Sequence, residues 1–330
     1  MSGGPSRAVA IGGGHGLART LQALPRVVDE TTAVVTVADD GGSSGRLRRD
    51  LGVLPPGDLR MALAALARQR RIADLLQYRF PRGELGGHSL GNLVLVALQD
   101  LVGGDLQTAL DELCRALEVP GRVLPCTTTP VVLHGATGGG EVRGQAAVAS
   151  TPGLDRVWLE PADARAGEEV VRAIREADLV VLGPGSLFTS VLPNLLVAGV
   201  ASALASTSAQ VVLVANLREQ AGETEGMSLR DHLLALRDHV PDVRIEVCVA
   251  NDGPVSGTDA RPLSGVDLDD VVGRVVTAAL DDGRDGHDPE ALACVFADLV
   301  ARPARGAPGE KPAWGAPGEK PAWEAPGETS

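Results

Sequence analysis

Aromatic side chains are almost missing: three Phe, three Trp and one Tyr in 330 residues, 2% of the chain. Proteins that grip single-stranded nucleic acid stack bases on aromatic platforms, so that class is excluded. Lysine is nearly absent too. Only Lys311 and Lys320 occur, and every other cation is an arginine. Four cysteines (Cys114, Cys126, Cys248, Cys294) are widely spaced and form no CxxC pair. That excludes a disulfide frame and a zinc ribbon, and fits buried thiols in a reducing compartment. The N-terminus, MSGGPSRAVAIGGG, has no long apolar core, so no signal peptide is expected. The net charge of −13 argues against a nucleic-acid or anionic-membrane surface. No charge occurs from Leu179 to Leu217, a run long enough to span a bilayer. Gly183, Pro184, Gly185, Pro193, Asn194 and Gly199 interrupt it, which suits a buried strand, loop and helix instead.

What is present is a third of a hundred kilodaltons of apolar-rich chain, 33.9 kDa with 44% hydrophobic residues. That length allows one large α/β domain or two small ones. The charge is uneven. Residues 1–82 hold 12 Arg against 7 acids, and residues 267–298 hold 2 Arg against 9 acids. A guanidinium fork suits phosphate and carboxylate, so the early arginines are candidates to face a small anion. At the C-terminus, residues 306–314 and 315–323 both read GAPGEKPAW. A repeat so rich in Pro and Gly has too little apolar content to fold, and a disordered tail is expected over 303–330. Residues 1–302 are expected to form one domain.

Within it, short apolar runs alternate with amphipathic ones. Ala8–Ile11, Ala33–Ala38, Leu179–Leu182, Val211–Ala215 and Val243–Ala250 read as buried strands. Helices are expected over Leu17–Leu24, Leu59–Arg68, Leu90–Leu101, Thr108–Leu117, Leu187–Leu204, Leu229–His239, Leu268–Leu280 and Pro289–Leu299. Short runs between 123 and 160 (Val123–Leu124, Val131–Leu133, Val142–Ala147, Val157–Leu159) suggest a small β-rich insertion. The whole predicts an α/β fold: a Rossmann-like, mostly parallel sheet with helices on both faces. Ligands on such sheets sit beyond the carboxyl ends of the strands. The informative loops are therefore those that follow strands.

Six loops carry chemistry. Gly12-Gly13-Gly14-His15-Gly16 follows the first strand and opens a helix, where backbone N–H groups can meet a phosphate. It is neither a dinucleotide fingerprint nor a Walker A motif. Asp39-Asp40-Gly41-Gly42-Ser43-Ser44-Gly45-Arg46 follows the second strand. Its paired carboxylates can hold a metal ion, bind ribose hydroxyls or act as a base. Ser43, Ser44 and Arg46 add donors for an anion. In Pro55-Pro56-Gly57-Asp58-Leu59-Arg60, Asp58 reads as a helix N-cap. Arg60 is a poor match to the helix dipole and a ligand candidate. In Gly86–Asn92, Ser89 is expected to cap a helix while His88 or Asn92 touches a ligand; no nucleophile elbow is present. Gly183-Pro184-Gly185-Ser186, with Thr189 and Asn194 beyond, repeats the logic of the first loop as a second anion cradle. Asn216, Gln220, Glu223 and Thr224 follow a further strand and suit hydroxyl-rich or heterocyclic groups. Together these loops predict a nucleotide-type site.

GGGHG, TVADDGGSSGRLR (36–48), PPGDLR (55–60), GGHSLGN, GPGSLFTSVLPNLL (183–196) and NLREQAGETEG (216–226) resemble the YvcK family. Its members are called gluconeogenesis factors and are related to CofD, the 2-phospho-L-lactate transferase of deazaflavin cofactor synthesis. The resemblance runs from about Arg7 to Leu299. It implies a CofD-like fold, a cytoplasmic location, binding of a UDP-sugar such as UDP-N-acetylglucosamine or of a dinucleotide, and a role in cell shape and growth on gluconeogenic carbon. Cell-wall or regulatory protein partners and a homo-oligomer are compatible with it. Some positions depart from the family pattern. His15 stands where Thr is usual, Arg218-Glu219 where Met-Thr is common, no tyrosine follows Asn251, and Gly286 stands where Arg is frequent. Two functions follow as expectations. In the first, a nucleotide-sugar-binding regulator, both glycine loops hold a diphosphate, Arg46 and Arg60 neutralise it, and Asp39 or Asp40 meets hydroxyls. In the second, a CofD-like phosphotransferase, Asp39 and Asp40 are catalytic and hold Mg²⁺.

Overall fold

Continuous Val, Leu and Ile runs, buried on both faces, set the centre of the molecule. In a computed structural model, residues 6–257, 261–263, 268, 270–284 and 286–302 are described. The expected tail, 303–330, lies outside them. The first half runs β1 (Arg7–Gly12), α1 (Gly14–Ala23), β2 (Glu30–Val35), α2 (Gly42–Leu51), α3 (Gly57–Leu66), α4 (Arg70–Gln77), α5 (Leu90–Leu101), α6 (Leu106–Ala116) and β3 (Gly121–Pro125). Next come β4 (Val132–Thr137), β5 (Gly140–Arg143), α7 (Gln145–Ala149), β6 (Arg156–Glu160) and α8 (Glu168–Glu176). The last part holds β7 (Leu179–Leu182), α9 (Leu192–Leu195), α10 (Val200–Ser206), β8 (Gln210–Val214), α11 (Leu229–His239), β9 (Val247–Asn251), β10 (Arg274–Ala278) and α12 (Pro289–Ala301).

Seven strands form one sheet in the order β10-β9-β8-β7-β1-β2-β3. Every pairing in it is parallel. Helices pack against it, as the alternation of runs predicts. A separate antiparallel sheet, β5-β4-β6, is the expected β-rich insertion. The chain order reverses between β1 and β7. β1 leads outward to β2 and β3 on one side, and β7 leads to β8, β9 and β10 on the other. At such a switch point the loops leaving adjacent strands diverge and open a crevice.

Four expectations need correction. Residues 268–280 hold no described helix; Arg274–Ala278 is the edge strand β10. Its Val275-Val276-Thr277 core is β-branched, which lowers helix propensity. The single helix over Leu187–Leu204 is broken into a π-turn at Leu187–Val191, α9 and α10. Pro193 sits in the first turn of α9, and Gly199, at φ 101°, starts α10 afresh. Val123–Leu124 belongs to β3 of the main sheet rather than to the insertion. Asp58 is not an N-cap: Pro56 takes that place, and Asp58 lies in the first turn of α3. Among the described residues, no helix is long and apolar enough to cross a membrane. The charge-free stretch is thus a strand, short helices and another strand.

One histidine fastens the insertion to the main body. His239, at the end of α11, has Nδ1 2.7 Å from the Ala235 carbonyl oxygen. Its Nε2 accepts the Val157 N–H of β6 at 3.0 Å. Both contacts are satisfied only by the neutral Nδ1–H tautomer. Burial lowers the pKa of His239, opposed by the Ala235 bond. A His with a depressed folded pKa stabilises the fold at neutral pH and loses that contribution as pH falls below its ordinary value. The protection factor of the Val157 amide, corrected for the intrinsic exchange rate, is therefore expected to fall between pH 7.5 and 5 more than at other β6 amides. Equal protection at both pH values would contradict this.

Candidate functional site

The crevice at the β1/β7 switch point is lined where the rule for parallel sheets places a ligand. The glycine loops behind both strands meet there, but their glycines mostly make room for the protein itself. A β-carbon on Gly16 would lie 2.3 Å from the Pro184 carbonyl oxygen. One on Gly13 would lie 2.5 Å from Asp58 Oδ2 and 2.7 Å from the Thr36 methyl. Gly12 gives its carbonyl to Thr36 N and to Asn194 Nδ2, at 3.0 and 3.1 Å. Gly183 accepts from buried Thr20 Oγ1 at 2.7 Å. Gly14, at φ 66°, is the exception: nothing lies within 4 Å of its missing side chain. The left-handed backbone there needs glycine.

Each glycine loop already faces a carboxylate of the chain. Glu223, 3% exposed, accepts Phe188 N and Thr189 N with Oε1 at 2.7 and 3.1 Å, and Thr189 Oγ1 with Oε2 at 3.1 Å. It therefore caps the helical turn after β7, where a second anion cradle was expected. Burial pushes its pKa up, while these donors pull it down. Asp58 takes the comparable place at α1, with the Gly14 N–H as a donor. Burial and, next, the charge of Asp39 push the Asp58 carboxyl up to about 7.

The expected Asp39/Asp40 pair is divided. Asp40 Oδ1 accepts Ala146 N at 2.9 Å at the start of α7, so it serves the insertion. Asp39 accepts Gly41 N at 2.9 Å and stands near Gly57 and Asp58. The carboxylate whose charge acts on Asp58 is Asp39, not Asp40. Among the described residues no cluster of three or more His, Cys, Asp or Glu could hold a metal ion.

Several expected ligand residues are buried supports. Ser43 Oγ lies 2.9 Å from His88 Nδ1 and accepts Asn92 Nδ2 at 3.0 Å. Arg60, 2% exposed, donates Nε to Asn92 Oδ1 at 2.9 Å and Nη1 to Gln77 Oε1. Burial lowers its pKa to about 10. Ser44 Oγ accepts Gly57 N at 3.1 Å. Ser89 caps α5 as expected, accepting Asn92 N at 3.4 Å. Arg46 donates to the Gly86 carbonyl at 2.8 Å. The early arginine excess thus largely serves the fold.

The open part is a cleft of about 1120 Å³. Of the expected residues, His15, Gly16, Pro184, Gly185, Asn216 and Gln220 line it. Asn216 clasps Gly185 on both sides, accepting its N–H at 2.9 Å and donating to its carbonyl at 3.0 Å. Gln220 donates to Ser186 Oγ at 3.0 Å, and its own N–H is taken by Thr224 Oγ1 at 2.9 Å. Sequence reasoning missed the opposite wall: Arg19 and Gln22 of α1, Met61, Ala64 and Ala65 of α3, and Arg70, Ala73, Asp74 and Gln77 of α4. The i, i+4, i+7 spacing of Arg70, Asp74 and Gln77 was the available signal. It also set aside Gly286 and His287, which line the cleft. His287 Nε2 lies 2.9 Å from the Ala215 carbonyl, and burial lowers its pKa to about 4, so it is the neutral donor there. Arg19 is paired with Asp282 at 2.7 Å.

Comparisons with known proteins show the family and the fold. A family model described as 2-phospho-L-lactate transferase CofD matches residues 8–269. A Mycobacterium tuberculosis protein curated as "Putative gluconeogenesis factor" is 47% identical over 311 residues, covering 89% of this chain and 90% of that protein. The "Gluconeogenesis factor" of Halalkalibacterium halodurans is 42% identical over 254 residues, 76% and 79% of the two chains. A crystal structure of a UPF0052 family protein from Bacillus halodurans superposes with a TM-score of 0.84 at 35% identity, covering 89% of this chain and 99% of that one.

Proposed function

The chain belongs to the CofD family, alongside relatives named as gluconeogenesis factors, and on that premise we propose that its cleft binds a nucleotide-sugar and that the protein acts as a regulator. The observation that carries this reading is the cleft itself. It lies beyond the carboxyl ends of β1, β7 and β8, and its polar lining consists of amides, arginines and scattered carboxylates. His15 and Gly16 stand at the opening of α1, whose N-terminal polarity favours phosphate. Asn216 and Gln220 are held rigid by their bonds to Gly185 and Ser186 and suit sugar or ribose hydroxyls. A UDP-sugar of the UDP-N-acetylglucosamine kind has these parts. Its occupancy is the signal read out in cell shape and in growth on gluconeogenic carbon, in the cytoplasm. Calorimetry with UDP-N-acetylglucosamine, with and without Mg²⁺, tests this. Saturable binding is the expected result; no saturable binding of any UDP-sugar or dinucleotide overturns it.

One observation favours a second reading, a CofD-like phosphotransferase: the electrostatically coupled carboxylates Asp39 and Asp58 near the first glycine loop. Two carboxylates fit Mg²⁺, which commonly completes its octahedron with water and substrate phosphate. The metal would neutralise charge on a leaving diphosphate. Incubation with an activated phospholactate donor and a deazaflavin acceptor separates the readings. Transfer that Asp39→Ala abolishes supports the enzyme; no nucleotide release above a blank removes it.

A further inference from the structure

The large apolar side chains left in solvent are not scattered. Among the described residues they are Leu51, Ile72, Leu75, Tyr78, Leu85 and Leu101. Five of the six belong to α4, α5 and the turn that joins them. The two helices pack side by side. Their adjoining ends are tied by the Leu90 N–H, which donates to the Tyr78 carbonyl at 2.8 Å, and the Tyr78 and Phe80 rings meet edge to face with centres 5.3 Å apart. α4 buries Ala73 and Leu76 and lends Arg70, Asp74 and Gln77 to the cleft. At about 3.6 residues per turn, Ile72 and Leu75 fall on the flank away from the cleft. α5 is apolar nearly all round, with Asp100 its only charge. It buries Gly91, Asn92 and Leu95. The opposite side, read at the same spacing, is Leu90, Leu93, Ala97 and Leu101. Leu101 is 82% exposed. A helix that is apolar all round is normally covered on every side, yet the described residues leave this face open.

We propose that this face pairs two copies of the chain, α5 against α5 in antiparallel sense about a two-fold axis. Size is the first reason. At roughly 200 Å² per large side chain, the exposed fractions of Ile72, Leu75, Tyr78, Leu85 and Leu101 leave on the order of 500 Å² of apolar surface. Half-buried Leu90, Leu93 and Val94 extend it. A standard interface takes about 800 Å² from each partner, which this face and its polar rim can supply. Charge is the second. The start of α5 lies beside the turn that carries Arg79 and Arg82, which outweigh Glu84, while its end carries Asp100. In an isologous pair each residue meets its counterpart's neighbour in both directions. An antiparallel copy thus sets each Asp100 end against the arginine end of the other, and attraction replaces the repulsion of like ends. Shape is the third. Ala97, in the middle of the stripe, is small enough for two helices to approach closely. The cleft lies on the other flank of α4 and stays open in such a dimer.

The test is analytical ultracentrifugation of the full chain from about 0.2 to 50 µM, a range that brackets micromolar affinity. The expected result is a species of twice the chain's 33.9 kDa at the upper end, dissociating on dilution. Leu75→Arg and Leu101→Arg are each expected to raise the dissociation constant about tenfold or more. Leu51→Arg, the same change at an exposed leucine off the hairpin, is expected to leave it within about twofold. Asp100→Arg is expected to weaken pairing about threefold, and the exchange Asp100→Arg with Arg82→Asp to restore it. All these side chains are exposed in the single chain, so circular dichroism is expected to match wild type throughout. A full chain that stays monomeric over the whole range overturns the proposal and gives the face to a different partner. A dimer that neither Leu75→Arg nor Leu101→Arg weakens, or that Leu51→Arg weakens as much, also overturns it. Failure of the charge exchange to restore pairing overturns the antiparallel arrangement.

Discussion

Gly16→Ala is expected to lower the free energy of unfolding by about 3 kcal/mol, the upper part of the usual range for overpacking. The new methyl would fall 2.3 Å from the Pro184 carbonyl oxygen, 2.7 Å from its carbon and 2.9 Å from Gly185 N. All three are backbone atoms, and none can swing aside as a side chain would. Relief requires parting the loops behind β1 and β7. That apposition shapes the cleft, so nucleotide-sugar binding should fall with stability. Gly14→Ala is the control: nothing lies within 4 Å there, and only the φ of 66° opposes it, at about 1 kcal/mol. Urea unfolding of both variants measures the contrast. Equal small losses would show that the β1/β7 contact is not a tight one.

Asp58→Asn is expected to stabilise the protein more at pH 8 than at pH 5. The carboxyl titrates at about 7 in the fold, raised first by burial and then by Asp39. Its ordinary value is near 4. A carboxyl raised on folding binds its proton more tightly in the native state. The native state is thus favoured below about pH 4, and that contribution is lost as pH rises toward 7. Asparagine keeps an oxygen for the Gly14 N–H and carries no charge to desolvate. The part of Asp58 still open to solvent reduces the gain, so about 1–3 kcal/mol is expected at pH 8. Thermal unfolding from pH 5 to 8 in a chelating buffer reads this directly. Parallel curves for variant and wild type would contradict it.

Strands of unbroken Val, Leu and Ile were legible in the sequence because burial on both faces removes the polar alternation of an exposed strand. β1, β7 and β8 fall where those runs predict. Segments in which a local rule competes were not legible. Leu187–Leu204 has helical composition, yet Pro193 and Gly199 divide it. The run Asp39–Arg46 reads as a loop, yet from Gly42 it is part of α2. The candidate site was found in place but not in detail. Strand-end loops did mark the crevice. Which polar groups are open, however, depends on partners far away in sequence: Glu223 with Thr189, Asp40 with Ala146, Arg60 with Asn92 and Gln77. Gly13 and Gly16 read as phosphate-binding positions, yet Asp58 and Pro184 occupy the space a side chain would need. No local motif announces an internal carboxylate.

The position of a bound ligand is the most direct test of the cleft's role. A crystal structure with UDP-N-acetylglucosamine is expected to show the diphosphate beside His15 and Gly16 and the sugar or ribose against Asn216 and Gln220. Density that instead fills the space around Ser43, Arg46 and His88, or no density in the cleft at saturating ligand, would contradict it.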